Sequence, residues 1–311
     1  MKTLQTSVRE YVAMRRALGF KLEKYEDWLL DFAAFMRRQG ARYITSKLAL
    51  DWVQQTRSVD QNYRVARLCV VRGFARYQSA IDPRTEIPMP DLLPRDKRRL
   101  HPHHYTDQEI RRLLLATLQP RRGATSISRW TRYTILGLLS VTGLRIGEAL
   151  NLDSDDVDLH QGILTIRNSK FGKGRLVPLH SSTQAALREY LRRRNDYLPG
   201  RSIVPFFVSR YGTRMSHCNL HSTFMTVSRK LGLRGRSDRH GPRLHDFRHR
   251  MAVETLLQCY RSGADPERRL PALSTYLGHT SLSHTYWYLH QHPTLMKQAV
   301  TRLEARWRSS P

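Results

Sequence analysis

A break in the first third of the chain constrains its folding more than any other feature. Residues 81–105, IDPRTEIPMPDLLPRDKRRLHPHHY, hold five prolines, at 83, 88, 90, 94 and 102, together with a cluster of basic side chains. Proline fixes φ and lacks an N–H, so neither a helix nor an inner strand runs through such a stretch. The 311 residues must therefore bury their apolar side chains in separate cores on either side of it. We expect an N-terminal domain over 1–100, with a linker stiffened by proline from about residue 82, and a second domain over 101–311.

Before the break the periodicity is helical. LQTSVREYVAMRRALG repeats apolar residues at helical spacing and stops at Gly19, and YEDWLLDFAAFMRRQG does the same up to Gly40. Thr45-Ser46 can cap SKLALDWVQQTR, and Asn62 to Ala80 reads as a fourth helix. Arg64, Arg67, Arg72 and Arg76 can share part of one face of that helix, either as a solvated face or as contacts to a polyanion.

After the break, Thr106 and Glu109 stand at the spacing of a capping box. GILTIRN and RLVPL read as strands around the turn SKFGKG, and from His245 onward the chain is mainly helical, interrupted at Gly263–Pro266 and near Pro293. The expected fold is mainly α with a small β-sheet. LDSDDVDLHQG resembles a calcium loop, but Val157 occupies a ligand position and the loop glycine is missing. His217 and His221 have no second ligand pair at finger spacing, so we expect no metal there.

Charge narrows the partners. Fifty-three Lys and Arg face 26 Asp and Glu, a formal net charge of +27 spread over the whole chain. An excess of that size repels itself unless a polyanion accompanies it. No sustained basic amphipathic anchor points to a membrane surface, and the apolar run 135–141 is too short to span a bilayer. Three cysteines without CxxC spacing, and an N-terminus without a signal-peptide core, lead us to expect a reduced, cytoplasmic, nucleoid-associated protein.

Six residues could carry chemistry. Arg145 in TGLRIGEAL follows a glycine turn at the start of a helix, and Glu148 could orient it or merely form a surface pair with it. Lys170 lies in the SKFGKG turn, flanked by Lys173 and Arg175, as a proton donor or as a solvated basic turn. His245 and Arg248 in LHDFRH share a helical face, with His249 and Arg250 expected to point away from it. His279 in LGHTSLSHT precedes Tyr288 by nine residues. Alone, Tyr288 reads as a core aromatic beside Tyr286 and Trp287. Its phenol, with a pKa of about 10, is ionised in roughly one molecule in a thousand at pH 7, so attack on phosphorus needs cations or a base. No Walker glycine loop and no carboxylate cluster for two metals occurs, so preorganised cations would have to stabilise the transition state, with no cofactor.

Arg145, Lys170, His245, Arg248, His279 and Tyr288, in that order and spacing, resemble the catalytic set of the tyrosine recombinases, also called the phage integrase family. The resemblance is specific over roughly residues 105–290; the N-terminal helices resemble the family's core-binding domain by size, helicity and position. It implies a tyrosine-recombinase catalytic domain that closes with the core-binding domain as a C-shaped clamp on double-stranded DNA. Tyr288 would attack the scissile phosphate to give a 3′-phosphotyrosine intermediate, and Arg145 and Arg248 would bind the non-bridging oxygens. Lys170 would protonate the leaving 5′-oxygen (Lys173 is the competing candidate), His245 would assist proton transfer and His279 would support the phosphate. Neither metal nor ATP would be needed. Arg64, Arg67, Arg72, Arg76, Lys173 and Arg175 are the expected DNA-binding residues. The resemblance further implies a homo- or hetero-tetramer of protomers on two DNA sites, helped by an amphipathic helix after Tyr288 that docks on a neighbour or folds back on its own domain. The leading expectation is a site-specific integrase or transposase of a mobile element. A dimer-resolving recombinase and a non-cleaving DNA-binding accessory of the same fold are the alternatives, and a type IB topoisomerase fits the LGH-to-Tyr288 wording less well.

Overall fold

A computed structural model of the chain describes residues 3–308 except 21, 57–59, 96–100, 121–124, 168–173, 236, 237, 239, 240, 280, 284 and 287–292. The chain divides into two compact units, Met1–Arg99 and Leu100–Pro311.

Among the described residues the first unit contains four helices, α1 (Leu4–Ala17), α2 (Glu23–Arg38), α3 (Ser46–Gln54) and α4 (Gln61–Ser79). Three begin on side-chain caps: Thr3, Thr45 and Asp60 accept the backbone N–H groups of Thr6, Leu48 and Asn62. Their apolar stripes meet in a core that includes Val12, Phe32, Phe35, Trp52, Val71 and Phe74. Part of the proline-rich stretch is held to the helices. Arg72 donates to the carbonyls of Pro88 (2.8 Å) and Met89 (2.9 Å), the Glu86 N–H donates to Ile44 O, and Glu86 Oε2 accepts the Ser46 N–H at 2.8 Å. Prolines leave carbonyls without ladder partners, and here those carbonyls find an arginine.

The second unit is helical around a small sheet. Its elements are α5 (Asp107–Leu118), α6 (Ser126–Thr142), α7 (Ile146–Leu150), β1 (Val157–Asp158), β2 (Ile163–Ile166), β3 (Arg175–Pro178), α8 (Ser181–Tyr197), α9 (His217–Lys230), α10 (Asp246–Arg261) and α11 (Pro266–Leu277), followed by a helix over Pro293–Arg308. The mainly α fold with a small sheet is thus the observed one. At α5 both halves of the capping box form: Thr106 Oγ1 accepts the Glu109 N–H at 3.1 Å, and Glu109 Oε2 accepts the Thr106 N–H at 2.7 Å. The sheet is antiparallel in the order β1-β2-β3, with Leu164 opposite Val177 and Ile166 opposite Arg175. Leu164, Ile166 and Val177 turn inward, the period-2 alternation of a sheet with one buried face.

Helix α6 packs against α5, α8 and α10, and α10 packs against α11. The C-terminal helix joins the α10–α11 cluster through Leu295, which is 1% exposed, while Met296, Val300, Leu303 and Trp307 are exposed. Among the described residues no helix is long and apolar enough to cross a membrane.

Candidate active site

The end of α11 organises the site. A helix leaves its last carbonyls without intrahelical partners and carries negative partial charge there. Three of these carbonyls, on consecutive residues from 276 to 278, each receive a guanidinium from a different part of the chain. Arg175 Nε donates to Tyr276 O at 2.7 Å, Arg248 Nη2 donates to Leu277 O, and Arg145 Nη2 donates to Gly278 O at 3.1 Å. Gly278 is the left-handed cap of the helix, with φ +66. A Cβ there would lie 2.9 Å from Arg175 Nη1, so close approach as well as backbone conformation calls for glycine.

Arg145 sits at the N-cap of α7. Its Nη1 donates to Glu148 Oε1 at 2.8 Å and its backbone N–H to Glu148 Oε2 at 2.9 Å, so the i,i+3 spacing read in the sequence does form an ion pair. Glu148 carries a second cation. Arg175 Nη1 and Nη2 meet its two oxygens at 3.0 and 2.8 Å, a bidentate fork. Burial raises the Glu148 pKa, but the Arg175 fork, the Arg145 N–H and the Arg145 guanidinium outweigh it and hold the carboxyl down at about 2.

Arg248 is 1% exposed and reaches from α10 to two helix ends: Nη1 donates to Gly143 O, the cap of α6, at 2.9 Å, beside its bond to Leu277 O. The i,i+3 partner His245 stands at the N-cap of α10, with its ring exposed. Although solvent reaches that ring, its crowded surroundings and then the Arg248 cation lower its pKa; Asp246 pulls the other way, and Arg243 and Arg145 add to the lowering. His245 is therefore mainly neutral at pH 7 and able to accept a proton. His279 follows the α11 cap; its backbone N–H donates to Ser274 O at 3.0 Å, and its Nδ1 lies 2.8 Å from the buried Thr285 Oγ1.

Arg145, His245, Arg248 and His279 thus come together from α6–α7, α10 and α11. Lys170, Lys173 and Tyr288 lie outside the described residues; the two lysines belong to the segment joining β2 to β3. His249 departs from expectation. Its ring does not point away but meets that of His245 edge-on at 5.2 Å, because residues four apart are neighbours on a helix surface. Burial, followed by the His245 and Arg243 charges, pushes His249 down to about 3.

Three of the arginines expected to contact DNA have their guanidinium groups engaged within the protein. Arg67 lies 3.8 Å over the Trp52 ring and pairs with Asp31 at 3.0 Å, Arg72 holds the proline-rich stretch, and Arg175 binds Glu148 and Tyr276. Each is drawn in by an acceptor or ring remote in sequence. Arg76 is exposed and Arg64 is half-buried.

The supports of the site include residues that the sequence pattern did not single out. Asp246, with no exposed surface, accepts the Arg243 N–H at 2.9 Å, the Arg243 guanidinium at 2.8 Å and the His103 N–H at 3.3 Å. Tyr105 stacks on Phe247 with ring centres 4.5 Å apart and donates its hydroxyl to Arg243 O. An aspartate in the first turn of a helix was the one local signal available. Among the described residues no group of three or more His, Cys, Asp or Glu side chains is placed to hold a metal ion.

A helical unit, a second unit with a three-stranded sheet, and a cluster of two arginines and two histidines at helix ends define a class in which known proteins can be compared. The phage integrase family model matches residues 104–294. The protein y4rB of Sinorhizobium fredii, provisionally described as an integrase/recombinase, is 49% identical over 310 residues, 99% of either chain. The tyrosine recombinase XerD of Pseudomonas putida is 30% identical over 279 residues, 86% of this chain and 83% of its own. The chain belongs to the phage integrase family of tyrosine recombinases. Its fold is shared with the Tn1549 transposon integrase in complex with transposon right end DNA, at a TM-score of 0.66 and 16% identity over 98% of this chain and 99% of that one. It is likewise shared with XerH bound to a palindromic difH substrate in a post-cleavage complex, at a TM-score of 0.63 and 20% identity over 90% of this chain and 79% of that one.

Proposed function

We propose that the protein is a site-specific DNA recombinase of a mobile element, an integrase or transposase, that cuts and rejoins DNA through a 3′-phosphotyrosine. The observation that carries this reading is the convergence of Arg145, Arg248 and His279 at the end of α11, with His245 near the two arginines, whose guanidinium groups are both fixed by backbone carbonyls. Cations held before substrate arrives need no reorganisation as charge develops on a phosphate. The net charge of +27, and the binding of XerH to its difH substrate and of the Tn1549 integrase to transposon end DNA, support duplex DNA as the partner.

In the step we infer, the Tyr288 hydroxyl oxygen attacks phosphorus and loses its proton to His245, which is poised neutral. The bond from phosphorus to the 5′-oxygen breaks, and that oxygen takes a proton from Lys170. Arg145 and Arg248 meet the non-bridging oxygens, and His279 supports one of them. The phosphotyrosine conserves the energy of the broken ester, and a second 5′-hydroxyl reverses the step. The first unit would act as the core-binding domain and the second as the catalytic domain of a clamp. Protomers would assemble as a tetramer on two sites, with the exposed row Met296, Val300, Leu303 and Trp307 offered to a neighbour.

The test is a nicked suicide substrate carrying the target site. Wild-type protein should give a protein–DNA adduct that survives denaturation, and Tyr288→Phe should give none. An adduct that persists in Tyr288→Phe would remove the assignment, and no adduct at all would favour the non-cleaving accessory.

A further inference from the structure

The pairing of Arg145 raises an electrostatic question that the phosphate-binding reading leaves open. A cation meant for phosphate lies 2.8 Å from a carboxylate that is only 6% exposed. Taken alone, that pair sums to zero charge, and a neutral pair has little attraction for a phosphodiester. Arg175 changes the sum. It lies across the same carboxylate with both Nη atoms, is itself 10% exposed, and is fixed at Nε by the Tyr276 carbonyl. One carboxylate between two guanidinium groups leaves a net charge of one, in a place where water screens it poorly. The three side chains come from α7, β3 and the N-cap that precedes α7, and the carbonyl comes from α11. The same guanidinium therefore ties the strand that follows Lys170 to Arg145 and to the turn that carries His279.

We propose that Arg175 is a positioning residue for strand cleavage: it balances the charge of Glu148, so that Arg145 keeps its positive field for the scissile phosphate, and it fixes β3 against the end of α11. Arg175 does not itself touch DNA. The inference rests on the assignment of Arg145 to the phosphate. A lysine at 175 would restore charge without the planar fork, whereas glutamine would remove both charge and fork.

The experiment measures single-turnover cleavage of the suicide substrate at saturating protein for wild type, Arg175→Gln, Arg175→Lys, Glu148→Gln and the double variant Arg175→Gln/Glu148→Gln. DNA affinity and thermal unfolding are measured on the same samples. Arg175→Gln should cleave about 100-fold more slowly, the scale of losing one preorganised electrostatic contribution, with DNA affinity close to wild type. Adding Glu148→Gln should recover about 10-fold or more, because a neutral amide no longer cancels Arg145. Arg175→Lys should fall between wild type and Arg175→Gln. A purely structural role predicts the opposite ordering, since the second substitution then adds damage. If Arg175→Gln does not fold, the double variant is compared with Glu148→Gln alone. Rates within about 10-fold support charge balance, and any larger loss overturns it. A wild type that forms no adduct overturns the cleavage reading and this inference with it. A wild type that cleaves, beside a double variant no faster than Arg175→Gln, overturns the inference alone.

Discussion

Replacing Gly278 with alanine tests how rigidly the end of α11 is held. The residue has φ +66, where a side chain costs about 1–2 kcal/mol. Its new Cβ would lie 2.9 Å from Arg175 Nη1 and 3.2 Å from Cζ. That guanidinium cannot swing aside without loosening its bond to Tyr276 O or one arm of its fork on Glu148. A hydrogen bond to a charged group is worth roughly 1.5–3 kcal/mol, so one such loss added to the backbone cost gives about 2.5–5 kcal/mol. Gly232 supplies the control. It has φ +74, and a Cβ added there would meet nothing within 4 Å, so Gly232→Ala should show the backbone cost of about 1–2 kcal/mol alone. At about 2–4 °C per kcal/mol for a unit of this size, the second unit should melt roughly 5–20 °C lower in Gly278→Ala and roughly 2–8 °C lower in Gly232→Ala. Calorimetry and urea unfolding of both variants check the difference. Equal destabilisation, within about 1 kcal/mol, would show that the contact with Arg175 contributes nothing and that its guanidinium is free to move.

Arg67→Ala should destabilise the first unit by about 2–3 kcal/mol, mostly through the lost stacking on Trp52 and the arginine's alkyl packing, because the exposed Asp31 partner makes the ion pair weak. DNA affinity should hardly change; a stable variant with weakened DNA binding would refute the inward role. His249, pushed down to about 3, makes the fold acid-sensitive. The unfolded chain takes up a proton near pH 6.5 and the native chain only near pH 3, so stability is full above 6.5 and falls as the pH drops through that window, by up to about 1.4 kcal/mol per unit. His249→Gln should flatten the fall in urea midpoint between pH 6.5 and 4, and an unchanged slope would sink the assignment.

How far the sequence alone could reach depended on the distance over which each interaction acts. The capping box of Thr106 and Glu109, the helix ends at Gly19 and Gly40, and the pair of Arg145 with Glu148 all join residues within four positions of one another, so their spacing was enough to read them. The strands at 163–166 and 175–178 were legible for a similar reason, since alternation within each is local and they lie close together in the sequence. Arg67 shows where such reading ends. Spacing along α4 put it on a face with Arg64, Arg72 and Arg76, but its direction was decided by Asp31, 36 residues earlier, and by the Trp52 ring. The proline-rich stretch shows the same limit: composition gave a linker stiffened by proline, and the contacts of Arg72 and Ile44 with it join residues far apart in sequence. At the candidate site, motif spacing could bring residues together as a set but could not tell a cation that faces phosphate from one that balances a carboxylate. Arg175 lies 27 residues from Glu148 and 101 from Tyr276, and no local periodicity encodes either contact. What the sequence did carry was the glycine of LGH, whose need became explicable only once the guanidinium beside it was seen. A motif word of this kind therefore records the packing of a partner as well as the chemistry of its own residues. Substituting the partner should make the glycine less necessary: in an Arg175→Gln background, Gly278→Ala should cost little more than Gly232→Ala does in the wild type.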